Sequence, residues 1–265
     1  MRMHTRFLSL LAWLAALAAA QGAHAQPTRA TTLASVSPAH CVTALERRET
    51  PDPLRCPAAL RSALEEARAT CRDVGGKLEG AVEGTVWSLD VNDDGRNELM
   101  FDIDSNVTCI DAWSVFACGS LGCPKTLYEL RDDMWAVVGH ISATWPEQVS
   151  VGTERAPDGH RSLEACRLDG CAERWIYEWR DGRYQMTRVE VRGTRVQIEG
   201  SVNGIYPLNT AMVVRATPAP NGADLGRYPA GTDVSIIGTA GDWYYVSPCN
   251  ACDSGFVPRS ALSLR

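Results

Sequence analysis

The spacing of apolar residues changes character three times along the chain. Arg2 and Arg6 precede an almost unbroken apolar run from Phe7 to Ala20, and Ala23-His24-Ala25 follows with small residues where a signal peptidase reads. The run is about 14 residues, short of the roughly 20 that span a bilayer. A cleaved signal peptide over 1–25 is therefore expected. The nearest cysteine after that site is Cys41, so lipid attachment there is not expected. No later stretch is apolar enough to predict a stable membrane span. Residues 26–40 are rich in Ser, Thr, Ala and Pro and read as a flexible leader.

The second pattern is helical. From Pro57 to Cys71 leucines and alanines recur at helical spacing, with Pro at the start and Gly75-Gly76 beyond the end. A shorter helix is expected over Cys41–Arg48, giving a helical segment over 41–76. From Val82 onward the pattern turns to short strands and turns, at Val86–Val91, Glu98–Ile103, Trp135–Ile141, Gln148–Gly152, Trp175–Arg180 and Tyr184–Val191. The expected fold class is mainly β: N-terminal helices, a β-repeat domain over 77–195 and a small barrel over 205–265.

The middle region repeats itself. Cys118 to Cys123 and Cys166 to Cys171 share a Cys-x4-Cys frame with Gly before the second Cys. Downstream, Tyr128-Glu129-Leu130-Arg131-Asp132 matches Tyr177-Glu178-Trp179-Arg180-Asp181. A period of about 50 with short strands is blade-like. Two units cannot close a propeller, so a partial propeller or an open β-assembly is expected.

Charge and cysteine content narrow the setting. The formal net charge is −6, and removal of Arg2 and Arg6 moves the mature chain to about −8. That argues against a nucleic-acid partner, which calls for clustered Lys and Arg. All ten cysteines lie beyond Ala25, and in an exported chain they read as disulfides. Local bridges are expected at Cys118–Cys123, Cys166–Cys171 and Cys249–Cys252. Cys41, Cys56, Cys71 and Cys109 are left to pair among themselves, with Cys41–Cys56 and Cys71–Cys109 favoured. The expected compartment is the periplasm or the exterior.

The sharpest local signal runs from Asp90 to Glu98. Asp90, Asn92 and Asp94 place oxygen side chains at the first, third and fifth positions, with Gly95 at the sixth. Such spacing bends a loop around a hard cation. Phe101 stands where an EF-hand needs Glu, and Glu98 supplies a carboxylate at the ninth position instead. With the strand that follows, the pattern resembles the FG-GAP or VCBS repeats of integrin-like propellers. That resemblance implies calcium held by Asp90, Asn92, Asp94 and Glu98 and by the Arg96 carbonyl. The equivalent positions of the second repeat are Glu154, Ala156, Asp158 and Ser162, where no metal is expected. The competing reading is an Asp/Asn turn that ends a strand.

The C-terminal region carries a second resemblance. Val214 to Pro218, Leu225-Gly226, Pro229 to Val234, Gly241-Asp242-Trp243-Tyr244-Tyr245-Val246 and Gly255-Phe256-Val257 look like a bacterial SH3 domain in order and spacing. The resemblance implies docking on peptidoglycan peptides or on an envelope protein. Trp243, Tyr245 and Tyr228 are the candidate contact residues, against the alternative that they form the barrel core.

Enzyme signatures are thin. After signal removal the histidines are His40, His140 and His160, and no His-Glu-x-x-His pair, Gly-x-Ser-x-Gly elbow or phosphate loop occurs. Cys252-Asp253-Ser254-Gly255 transposes the Asp-Cys-Ser-Gly order of NlpC-type wall peptidases, and no His follows it. Asp102 and Asp104 alternate with Phe101 and Ile103 and are expected to face solvent, and His160 with Glu164 reads as a solvated pair at a turn. The chain reads as a non-enzymatic envelope binding or targeting protein. Two alternatives are an inhibitor or immunity protein against a wall-degrading enzyme, and a wall hydrolase with an unrecognised site.

Overall fold

The computed structural model describes residues 28–29, 58–80, 86–102, 107–112, 123–143, 146–167, 171–200, 204–248 and 254–263. Within them the protein is mainly β, with a single α-helix, α1 (Ala58–Asp73). The expected helix at Cys41–Arg48 lies outside the described residues, as do the signal peptide and the Cys41–Cys56 and Cys249–Cys252 pairs. Cys118 and Asp104 fall outside them too.

α1 buries Leu60, Leu64, Ala67 and Cys71 along one stripe, the face that helical spacing selects. It stops at a glycine-dependent cap. Gly75 takes φ +82°, its N–H donates to the Arg72 carbonyl, and the Gly76 N–H donates to the Cys71 carbonyl. This is a Schellman arrangement, which satisfies carbonyls the helix end leaves free. Cys71 then bridges to Cys109 on β5 (Val107–Ile110), which pairs with β2 (Lys77–Gly80). A Cβ at Gly76 would sit 2.5 Å from the Cys109 sulfur. Only glycine lets the chain pass that bridge.

Each copy of the repeat lies on a four-stranded antiparallel meander. The first is β3 (Val86–Leu89), β4 (Glu98–Phe101), β6 (Cys123–Arg131) and β7 (Met134–Ala143), in that order. The second is β8 (Val149–Arg155), β9 (Arg161–Cys166), β10 (Glu173–Arg180) and β11 (Arg183–Val191). It is extended by β12 (Thr194–Gln197) at one edge and by β1 (Thr28–Arg29) at the other, so part of the expected leader pairs with β8. Both long hairpins turn through two residues at positive φ: Asp132 and Asp133 in the first, Asp181 and Gly182 in the second. That conformation matches the twist of the flanking strands. Both hairpins also shift register just before the equivalent tyrosines, Tyr128 and Tyr177. The inner faces of the two sheets share one core, including Leu127, Val138, Ile141, Leu163, Trp175 and Val189. α1 covers the other face of the first sheet through Leu60 and Leu64 against Leu99, Phe101 and Tyr128.

Asp102 overturns a sequence expectation. It does not face solvent: it is 1% exposed and its carboxylate lies 2.6 Å from the Nζ of Lys125, whose side chain is also fully buried. A buried charge of either sign is costly alone, and each of these two has its partner. On the outer face of the second sheet, Arg174, Arg180, Arg188 and Arg195 interleave with Glu154, Glu164, Glu178 and Glu190 in ion pairs. That face is polar and charge-balanced.

Among the described residues the C-terminal region forms an open six-stranded antiparallel sheet rather than a closed barrel. Its strands are β13 (Ile205–Pro207), β14 (Met212–Arg215), β15 (Asp224–Tyr228), β16 (Asp233–Ala240), β17 (Trp243–Pro248) and β18 (Gly255–Pro258). They run in the order β13-β16-β17-β18-β14-β15. It has its own core of Leu208, Val214, Val234, Ile236, Tyr244, Val246 and Val257. The other face of β17 points at the repeat. Tyr245 and Phe256 join the core shared by the two meanders, because successive strand residues alternate sides.

Candidate functional site

The Asp90–Glu98 loop joins β3 to β4, and its conformation is set by its own short polar side chains. The Gly95 N–H donates to Asp90 Oδ2 (3.2 Å), the Asp94 N–H to Asn92 Oδ1 (3.0 Å) and the Arg96 N–H to Asp94 Oδ1 (2.7 Å). Asp93 and Gly95 both take positive φ, which Asp tolerates and Gly takes without cost. The loop is clamped to the second meander: the Arg161 N–H donates to the Val91 carbonyl (2.6 Å), and Asp93 pairs with Arg155 and Arg161. These arginines hold the Asp93 carboxyl below its usual range through hydrogen bonds. Asp93 is thus committed to protein partners, and the loop carries fewer unbalanced charges than its sequence suggests.

The remaining oxygens fit a hard cation in kind. Glu98 is 3% exposed and accepts the Val91 N–H at 2.9 Å. Burial pushes its carboxyl up to about 7, and the negative charges of Glu129 and Asp94 add to the shift. Asp90 Oδ1 is buried with no hydrogen-bond partner. An orphaned carboxylate oxygen beside a buried acid is what a bound cation would relieve. Geometry is less complete: among the described residues no three His, Cys, Asp or Glu side chains converge as a ready metal cluster. Asn92 Nδ2 instead donates to Asp94 Oδ2 at 3.3 Å. The Arg96 side chain is exposed, 3.6 Å from Asp94.

The equivalent loop of the second repeat is filled differently. Glu154 turns away to Arg188 and Arg195, and Ser162 is buried. Asp158 takes the Trp179 indole N–H and lies 3.1 Å from His160 Nδ1. His160 is not a solvated partner of Glu164. It stacks on Trp179 at 3.7 Å between ring centroids, 4° from parallel, and its Nε2 lies 3.1 Å from Glu129 Oε1. Glu164 pairs with Arg174. Nothing in the spacing of His160 revealed this, because Glu129 and Trp179 arrive from other strands.

Two of the three aromatic candidates of the C-terminal sheet, Trp243 and Tyr245, turn to the shared core rather than to a contact surface. Tyr245 is fully buried and donates its hydroxyl to Glu173 Oε1 (2.5 Å), which also accepts the Trp175 indole N–H (2.5 Å). Burial, with the Glu173 charge beside it, raises the Tyr245 hydroxyl well above its ordinary value. The Arg167 guanidinium covers Trp175 at 4.2 Å. The Cys166–Cys171 bridge stands beside this knot, and the Arg167 N–H donates to the Glu173 carbonyl at 2.9 Å. Trp243 packs on the same shared core, while Tyr228 packs partly exposed on the sheet's own core. Of the three, Trp243 and Tyr245 fasten the C-terminal sheet to the repeat.

No family model and no solved structure matches the chain. A partial similarity links it to SCO-spondin of Bos taurus, 35% identical over 105 residues, which is 37% of this chain. The chain spans about 2% of that protein's length. The described residues contain two disulfides, Cys71–Cys109 and Cys166–Cys171. They contain no helix long and apolar enough to cross a membrane.

Proposed function

We propose that the chain is an exported cell-envelope binding or targeting protein acting in the periplasm or outside the cell. Its C-terminal region is read as a bacterial SH3-like unit that docks on peptidoglycan peptide or on an envelope protein. The middle region is read as an FG-GAP/VCBS-like repeat, and a calcium ion held by Asp90, Asn92, Asp94, the Arg96 carbonyl and Glu98 stabilises it. The observation that carries the reading is the mounting of a small sheet with its own core on a disulfide-bridged scaffold, through Tyr245 and Glu173. A mount of this kind holds the unit by Tyr245 and Phe256 and leaves the margin of its own core free to meet a partner. At that margin Tyr228, which packs partly exposed on the sheet's own core, is the aromatic candidate, since Trp243 and Tyr245 are taken up by the mount.

Two experiments test the parts separately. The mature protein should co-sediment with purified peptidoglycan sacculi or with a detergent-washed envelope fraction, and Tyr228→Ala should weaken that retention. Retention by neither fraction would defeat the docking reading. For the loop, melting should rise with calcium over chelator. The gain should be about 2.7 kcal/mol at a hundredfold excess over Kd, and Asp90→Ala and Asp94→Ala should lose the response. A wild-type melting curve indifferent to calcium removes the metal.

A further inference from the structure

An open sheet edge meets the junction between the repeat and the C-terminal sheet. Among the described residues β7 pairs with β6 alone. The two-residue turn at Asp132-Asp133 makes Arg131 and Met134 a hydrogen-bonded pair. Alternation then directs the N–H and C=O of Trp135 and Val137 away from β6, and no turn or loop bond among the described residues engages them. Exposed edges are normally blunted by charge, proline or cover. From Met134 to Ala143 there is no Lys, Arg, Asp, Glu or Pro, and Met134 and Val137 are 71% and 50% exposed.

A cleft of about 410 Å³ runs beside this edge, walled by Val137 and His140 of β7, Arg183 and Met186 of β11, and Gly200 and Ile237. Its floor is fixed where Gly139 passes β11: a Cβ there would lie 2.9 Å from the Tyr184 Cβ. The lining holds Arg183 and His140 but no carboxylate, in a chain with 32 acidic and 26 basic residues. Arg183 is the one charged residue of that lining, and a cation set in a cleft of an acidic protein favours an acidic occupant over a second copy of the same chain, whose net charges would repel. Strand addition supplies affinity through main-chain bonds and selectivity through alternate side chains.

We infer that the β7 edge and this cleft form a strand-addition site for an extended segment of a partner protein. The segment carries apolar side chains at alternate positions and a carboxylate that meets Arg183. The site is separate from the Tyr228 surface and does not depend on it. The test uses the mature chain and a labelled peptide, Thr-Val-Glu-Val-Thr-Val, followed by fluorescence anisotropy. Also titrated are a peptide with Lys in place of Glu and one N-methylated at alternate amides. Each change should weaken binding at least tenfold, and so should Arg183→Glu. Val137→Pro should do the same without breaking a ladder bond, because that N–H faces away from β6. If Val137→Pro fails to fold, the N-methylated peptide and Arg183→Glu decide. Equal binding of the Glu and Lys peptides, no binding of either, or indifference to Arg183→Glu overturns the inference. So does a dimer of the free chain that Val137→Pro dissociates, since the occupant is then a second copy.

Discussion

The two meanders share strand order, a register shift before Tyr128 and Tyr177, and a hairpin turn with both central residues at positive φ. They are fastened by different chemistry. Phe101 lies opposite Thr126 in the first, and Ala165 opposite Trp175 in the second. Asp102 therefore corresponds to Cys166, and Lys125 to Arg174. Where the first sheet closes on a buried ion pair, the second closes on the Cys166–Cys171 bridge and turns its cation outward to Glu164. The loops diverge in the same way: one keeps an orphaned Asp90 oxygen, the other is filled by His160 on Trp179. Turn and bulge geometry defines the scaffold. The fastenings differ while the scaffold stays the same.

The largest test of that comparison is Lys125→Ala. It removes the cation that lies 2.6 Å from the buried Asp102 carboxylate and should cost about 3–5 kcal/mol in denaturant melts. Replacing both members together, with Lys125→Met and Asp102→Leu, should recover most of the loss. If the single change costs no more than a surface substitution, the ion pair is not what closes the first sheet. In the second sheet, Cys166→Ser with Cys171→Ser should cost about 2 kcal/mol, as expected for a short loop, and leave the first sheet's amide protection unchanged.

The mount gives a smaller, pH-coded effect. Tyr245→Phe removes one hydrogen bond to Glu173 and should cost about 1–2 kcal/mol near neutral pH. The folded hydroxyl titrates well above the ordinary value of 10.0, so only the unfolded chain releases that proton as pH climbs past 10. Native stability should then fall with rising pH, by about 1.4 kcal/mol per unit for this group. The Phe variant should show a slope shallower by one proton. The smallest effect is Trp179→Phe, which keeps a ring against His160 but drops the bond to Asp158. It should cost about 1 kcal/mol and leave any calcium response of the first loop intact.

Local signals in the sequence carried far. Pro57 and Gly75-Gly76 bracket α1, and the runs Trp175–Arg180 and Tyr184–Val191 mark both strands of the second long hairpin. Strands β6 and β9 were not legible: Pro124 and Lys125 break the apolar pattern of the first, and Arg161 and Glu164 that of the second, each of these two serving an ion pair or carbonyl contact on another segment. Asp102 reads as solvent-facing until Lys125 arrives from a strand more than twenty positions on. Tyr245 was legible as aromatic and strand-borne but not as buried on its second face, since that face is covered by residues near Glu173. The clamp of Asp93 to Arg155 and Arg161 had no local signature at all.

The Cys166–Cys171 bridge also bears on the order in which the protein matures. Its two thiols are five positions apart, so little chain entropy opposes their meeting, and both leave the ribosome well ahead of Tyr245. Oxidation can therefore set Arg167 and Glu173 in register before the C-terminal sheet exists. The last-made part of the molecule then meets a finished seat rather than having to shape one. The final folding step is then a docking event, and the exposure of the core at Trp175 and Val189 is kept brief.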